Sequence, residues 1–241
     1  MTKDKIGNDK LPGNIWRPIE ASVQIPSNIS CIKCPGKHTR PTDDCSGIRN
    51  ALITTLGSGS SGGSVFLFNL EALDFNSVIS MRRRLHRTAS LNCTVWTADY
   101  NFNASQAVIG TNLGAALVNL ETGTASWVLR SKSDILSQQF DQSGNVVLCG
   151  LRNGAILTID TRVRQERLPS RFIKHRIPVQ GSSKKWFELK GNINPSDIIF
   201  MPSSISCLVS LQLYDQYFLA SSMDGSVSNA YSFKFFWIFF S

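Results

Sequence analysis

Leu148-Cys-Gly-Leu-Arg-Asn-Gly-Ala-Ile-Leu-Thr-Ile-Asp160 is an apolar run, a glycine turn, a second apolar run and a closing carboxylate. Asn153-Gly154 is a strong hairpin signal, because both residue types tolerate positive φ. The same order recurs in Leu56-Gly-Ser-Gly-Ser-Ser-Gly-Gly-Ser-Val-Phe-Leu-Phe-Asn69 and Val108-Ile-Gly-Thr-Asn-Leu-Gly-Ala-Ala-Leu-Val-Asn119. It recurs again in Leu219-Ala-Ser-Ser-Met-Asp-Gly-Ser-Val227. Short apolar segments also lie at 51–56, 65–68, 93–96, 107–109, 115–118, 145–148, 155–159, 207–213 and 217–220. None carries a helical stripe over a dozen positions, so the chain reads as antiparallel all-β.

The last turn glycines of the four segments, Gly63, Gly114, Gly154 and Gly225, stand 51, 40 and 71 residues apart. A propeller blade takes about 40–45 residues, and these repeats resemble WD repeats, in which a glycine turn precedes a strand ending in Trp-Asp, with Phe68, Val118 and Ile159 in the Trp place and Asn69, Asn119 and Asp160 in the Asp place. The expected fold is therefore an incomplete propeller of about four blades over 45–227. The excess spacing falls on two insertions, an arginine loop and a basic insert at 163–200. Residues 1–44, with Pro12, Pro18, Pro26, Pro35 and Pro41, read as an extended or disordered tail, since proline removes a backbone donor and restrains its predecessor. At the other end the repeat breaks mid-strand into 228–241, a divergent hydrophobic tail containing Phe233-Lys-Phe-Phe-Trp-Ile-Phe-Phe240. That break reads either as a truncated or alternatively spliced product or as a divergent last strand.

The net charge of +8 is local. From Arg162 to Lys190 nine basic residues face only Glu166 and Glu188, and Arg82, Arg83, Arg84 and Arg87 form a second run. With Lys184, Lys185 and the neighbouring Trp186-Phe187, these positions are the candidate surface for an acidic partner or nucleic acid. The plainer reading is a pair of solvated loops. No run reaches the roughly 18 apolar residues of a membrane helix, and the polar N-terminus is unlike a secretory signal. Nucleus or cytosol is the expected compartment.

Ser133-Asp-Ile-Leu-Ser-Gln-Gln-Phe140, Asn153 to Arg162 and Asp215 to Gly225 resemble the WD-repeat substrate receptors of cullin-4 RING ubiquitin ligases. The likeness is to the plant-type, fourth-numbered associated factors. In that family a strand ending Trp-Asp-x-Arg docks on the ligase adaptor, the damage-binding protein. The resemblance implies that Asp160 and Arg162 are adaptor-binding residues; Ile159 stands in the Trp position. A second copy of the motif is expected after Val227, where Ser228-Asn-Ala-Tyr-Ser-Phe233 holds neither Asp nor Arg.

Other motifs carry less. Gly57-Ser-Gly-Ser-Ser-Gly62 matches the dinucleotide fingerprint, but a strand follows it, so a hairpin loop is expected. Cys31, Cys34, His38 and Cys45 have the right atoms for zinc, yet their gaps match no zinc knuckle, and reduced thiols are the expected state. Cys93 and Cys207 are expected at matching places in the first strands of their blades. His38, His86 and His175 lie off the β framework, and no nucleophile–base pair can be argued. The expectation is a non-enzymatic scaffold with no cofactor and no catalytic residue, working through its partners.

Overall fold

The computed structural model describes residues 25, 27–34, 50–58, 61–70, 85–101, 103–162, 171–177, 185–191, 193, 197–211, 217–231 and 238–239. Among them there is no α-helix. In chain order the strands are β1 Ile29–Lys33, β2 Asn50–Thr55, β3 Gly57–Ser58, β4 Ser61–Gly62, β5 Ser64–Asn69 and β6 Leu85–Ser90. Then come β7 Val95–Tyr100, β8 Gln106–Thr111, β9 Gly114–Asn119, β10 Ala125–Ser131, β11 Ile135–Phe140, β12 Val146–Leu151 and β13 Ala155–Asp160. The last are β14 Ile173–Ile177, β15 Lys185–Lys190, β16 Ile199–Phe200, β17 Ile205–Ser210, β18 Tyr217–Ser222, β19 Val227–Tyr231 and β20 Ile238–Phe239.

They form four antiparallel sheets in chain order, none of them closed into a barrel: β1-β2-β5-β6, β7-β8-β9-β10 extended by β15 and β14, β11-β12-β13-β16, and β17-β18-β19-β20. A small β3-β4 ladder caps the first, so the Gly57–Gly62 run is a hairpin loop. The first strands stand in a row, β1 against β7, β7 against β11, and β11 against β17.

Each first strand carries an irregularity in the same place: between Ile29 and Cys31, Val95 and Thr97, Ile135 and Ser137, and Ile205 and Cys207. An extra residue kinks a strand and sharpens its twist. A bulge at one position in four strands means that the four sheets are built to one plan.

Packing between sheets follows the same plan. The first and fourth residues of β7, β11 and β17 are buried: Val95 and Ala98, Ile135 and Gln138, Ile205 and Leu208. They press on the preceding sheet where it has no side chain. A Cβ on Gly63 would come within 2.5 Å of Val95, and one on Gly150 within 2.4 Å of Ile205. A Cβ on Gly110 would meet Ile135 at 3.1 Å. Glycine is needed there for close approach. Three apolar clusters fill the spaces between sheets, around Leu52, Val65 and Ile109, around Val108, Leu129 and Leu157, and around Ile156, Ile205 and Phe218.

Polar groups tie the row together. Phe140 N–H donates to Asp99 Oδ2 at 2.8 Å, and Ser210 N–H to Gln139 Oε1 at 3.0 Å, the same bond one sheet on. Leu208 N–H donates to Ser137 Oγ at 2.9 Å.

Several expectations are corrected. Ile29–Lys33, inside the supposed 1–44 tail, is the first strand of the first sheet, where Cys31, Ile32 and Lys33 pair with Thr54, Ile53 and Leu52 of β2. The 163–200 insert is not simply a loop. Its described residues give the β14-β15 hairpin, which joins β10 through Arg130↔Lys190, and Ile199–Phe200, which closes the third sheet on β13. Nor does the fold stop at Val227, since β19 pairs along β18 and β20 pairs with β19, drawing residues of the 228–241 tail into the fourth sheet. Cys93 and Cys207 are not equivalent. Cys93 is buried in the loop before β7, whereas Cys207 is exposed within β17.

The turns differ in detail too. Gly154 (φ +86°) and Gly225 (φ +88°) take the left-handed conformation, but Asn153 and Asp224 do not. Instead their side chains accept from the backbone two residues on, Ala155 N–H at 3.1 Å and Ser226 N–H at 3.0 Å. These are longer turns ending in a left-handed glycine, a second common way to close a hairpin.

Candidate interaction surfaces

Asp160 ends β13, and Arg162 follows it by one turn residue. Burial of Ile159 on one face of the strand leaves Asp160 at its rim. Asp160 Oδ1 accepts from Arg162 N–H at 2.9 Å and from Nε at 3.0 Å, while Oδ2 accepts from Nη2 at 2.6 Å. This is a two-pronged fork, the geometry in which arginine and carboxylate match best. The guanidinium holds the carboxyl below its ordinary range, and the carboxylate raises Arg162 in turn. Thr161 Oγ donates to Asn145 O at 2.8 Å and fixes the turn between them. Asn119, at the matching end of β9, also starts its turn by accepting from Glu121 and Thr122 N–H. Position 160 therefore has a turn-capping role, and Arg162 is added to it.

The second surface is the β14-β15 hairpin. Its register sets Lys174 opposite Glu188, His175 opposite Phe187 and Arg176 opposite Trp186. Alternation sends Phe187 and Leu189 into the core and leaves Lys174, Arg176 and Trp186 on the outer face. Phe172, just before β14, is exposed beside them, with Lys132 Nζ 5.7 Å from its ring. Lys132 also pairs with Glu188 at 2.6 Å. Burial pushes His175 below its usual range.

The expected Trp186-Phe187 pair is thus split. Trp186 is presented, whereas Phe187 packs edge-on against Phe200. Phe172 was not legible as a surface aromatic, because its outward face follows from a strand pairing some fifteen residues away. Of the arginine run, Arg87 is exposed on β6, and Arg82, Arg83 and Arg84 lie outside the described residues, as does Lys184. Lys185 opens β15, opposite Ile177.

Of the zinc candidates, His38 and Cys45 lie outside the described residues. Cys31 turns its thiol to Ala98 O at 3.5 Å, and Cys34 is exposed just past β1. Among the described residues no three His, Cys, Asp or Glu side chains are grouped to hold a metal. Burial pushes the Cys149 thiol up to about 12 and raises Cys93, which leaves both as core packing groups. No described helix is long and apolar enough to cross a membrane. No protein-family model matches the chain, and no curated protein matches it.

Proposed function

We propose that the four sheets are blades of a WD-type β-propeller, and that the chain works as a non-enzymatic scaffold, the substrate-receptor subunit of a cullin-4 RING ubiquitin ligase in nucleus or cytosol. Support for the blades comes from the shared bulge and the glycine-cleared packing of each first strand on the sheet before it. One observation carries the docking role: the exposed Asp160–Arg162 fork at the end of β13. Asp160 engages Nε and Nη2, so the guanidinium is held in one orientation and keeps N–H groups for an acceptor on the adaptor. A group ordered before binding loses less entropy on docking. The scaffold presents a target protein to the ligase and performs no bond chemistry.

Arg162→Ala should lower co-precipitation of the damage-binding adaptor severalfold while leaving the far-ultraviolet circular dichroism unchanged. Equal recovery of variant and wild type counts against the docking role. The outer face of the β14-β15 hairpin favours a second reading, in which Trp186 and Phe172 among Lys174 and Arg176 hold an acidic partner or nucleic acid. An association with nucleic acid that weakens with salt and survives Arg162→Ala selects it.

A further inference from the structure

The packing rule between sheets leaves one unfilled position at each end of the row. Val95 and Ala98, Ile135 and Gln138, and Ile205 and Leu208 are each buried against the sheet before them. In β1 the matching residues are Ile29 and Ile32, and they are 47% and 56% exposed. No described residue covers these two projections.

The fourth sheet carries the complementary hollow. In the ladders, Ser221 stands opposite Cys207 as Gly150 stands opposite Ser137 and Gly110 opposite Thr97. Gly110 and Gly150 are the small residues that receive the next first strand. Around Ser221, on the face turned away from the third sheet, Val209 is 45% exposed, Leu219 36% and Val227 45%. Phe218 and Ala220, on the opposite face, are buried against the third sheet. The side chains left in water on β17, β18 and β19 are therefore those that the shared plan would cover with another first strand. An apolar patch of this kind marks an interface.

We propose that a second copy of this chain fills both ends. Ile29 and Ile32 of one copy pack on the Ser221 face of the other, and the reciprocal contact closes a two-fold ring of eight sheets. Eight lies within the four to eight blades that propellers use, and a closed ring removes the open faces at both ends of the row. Val209 stands where two of the inner junctions have the acceptors Asp99 and Gln139, so this junction is apolar where those two carry a side chain–backbone hydrogen bond. The proposal rests on the propeller reading but not on the adaptor.

Light scattering on the size-separated full chain should give twice the mass of one chain. Ile32→Asp should halve that mass with the β-type circular dichroism intact. A wild-type monomer overturns the proposal. So does an Ile32→Asp variant that stays dimeric, or an open polymer that grows with concentration, as unclosed head-to-tail contacts do.

Geometry offers a second test. Within the row, the third residue of one first strand touches the fourth of the next, as Leu208 N–H does Ser137 Oγ. Ile32→Cys should therefore be cross-linked by a short thiol-bridging reagent to Cys207 of the second copy, giving a covalent dimer. Addition of Cys207→Ser should abolish that dimer, and its persistence would overturn the head-to-tail arrangement. Adaptor capture by monomeric Ile32→Asp protein reads the docking role separately.

Discussion

Asp99 shows how a single side chain is used in this row of strands. It sits on β7 between the first and third sheets, with 16% of its side chain exposed. Desolvation raises its pKa, and Lys33 at 3.8 Å and the Phe140 N–H offset only part of that, since the ammonium is long-range and itself partly in water. The folded state thus holds the proton more tightly than the unfolded chain does. Linkage then makes stability greatest below the ordinary carboxylate value of about 3.9, and stability falls as pH rises through the higher folded value. Asp99→Asn keeps an oxygen to accept from Phe140 and removes the titration. Urea midpoints measured from weakly acidic to neutral pH should decline for the wild type relative to the variant. Parallel curves would mean that the carboxylate is not desolvated. The same residue position carries Gln139 in β11, a neutral acceptor for the same bond, which is why the substitution should be tolerated.

Among the elements, the β14-β15 hairpin departs furthest from what its composition suggests. Nine cations in 29 residues read as a solvated loop, yet Phe187 and Leu189 are buried in the cluster that holds Leu129, Ile135 and Leu157. Burying a side chain of that size stabilises by about 1.5–3 kcal/mol, whereas the Lys174 and Glu188 charges meet at the surface, where water screens them. Core burial therefore decides where the hairpin sits. Leu189→Ala should destabilise the chain by about 2–4 kcal/mol in chemical denaturation, and Trp186→Ala, on the outer face, should fall within roughly 0.5 kcal/mol of wild type. A neutral Leu189→Ala would show the hairpin undocked in solution. The charges keep a second role, since Lys174 and Arg176 flank the described outer edge of the six-stranded sheet and discourage pairing with another chain.

For the whole molecule, stability is expected to be graded along the row. The second sheet is packed on its two faces by the two larger clusters and the third by one of these and the smallest, while the fourth is packed on one face through Phe218, Ala220, Ile205 and Leu208. Native-state hydrogen exchange should find the slowest amides in β8, β9, β12 and β13 and faster exchange in β18 and β19. Uniform protection across all four sheets of a monomer would contradict that gradient; in the ring dimer the fourth sheet should gain protection. The hairpins β8-β9, β12-β13 and β18-β19 were legible in the sequence because apolar alternation and a glycine turn act within about a dozen residues. Asp160 was legible by the same token, as the polar residue that closes the repeat, whereas Arg162 was singled out only by the resemblance. The Ile-Ser-Cys triplets at 29–31 and 205–207 were present as letters, but their shared meaning, a register shift after the first residue of each first strand, emerges only from the ladders. Strand β1, the hairpin β14-β15 and the short closing strands were decided by tertiary structure alone. The partners that hold β15 and β16 lie far along the chain, as Arg130↔Lys190 and Ala155↔Phe200 show, and a half-buried strand with polar residues outward becomes a strand only when a sheet edge and a core are there to receive it.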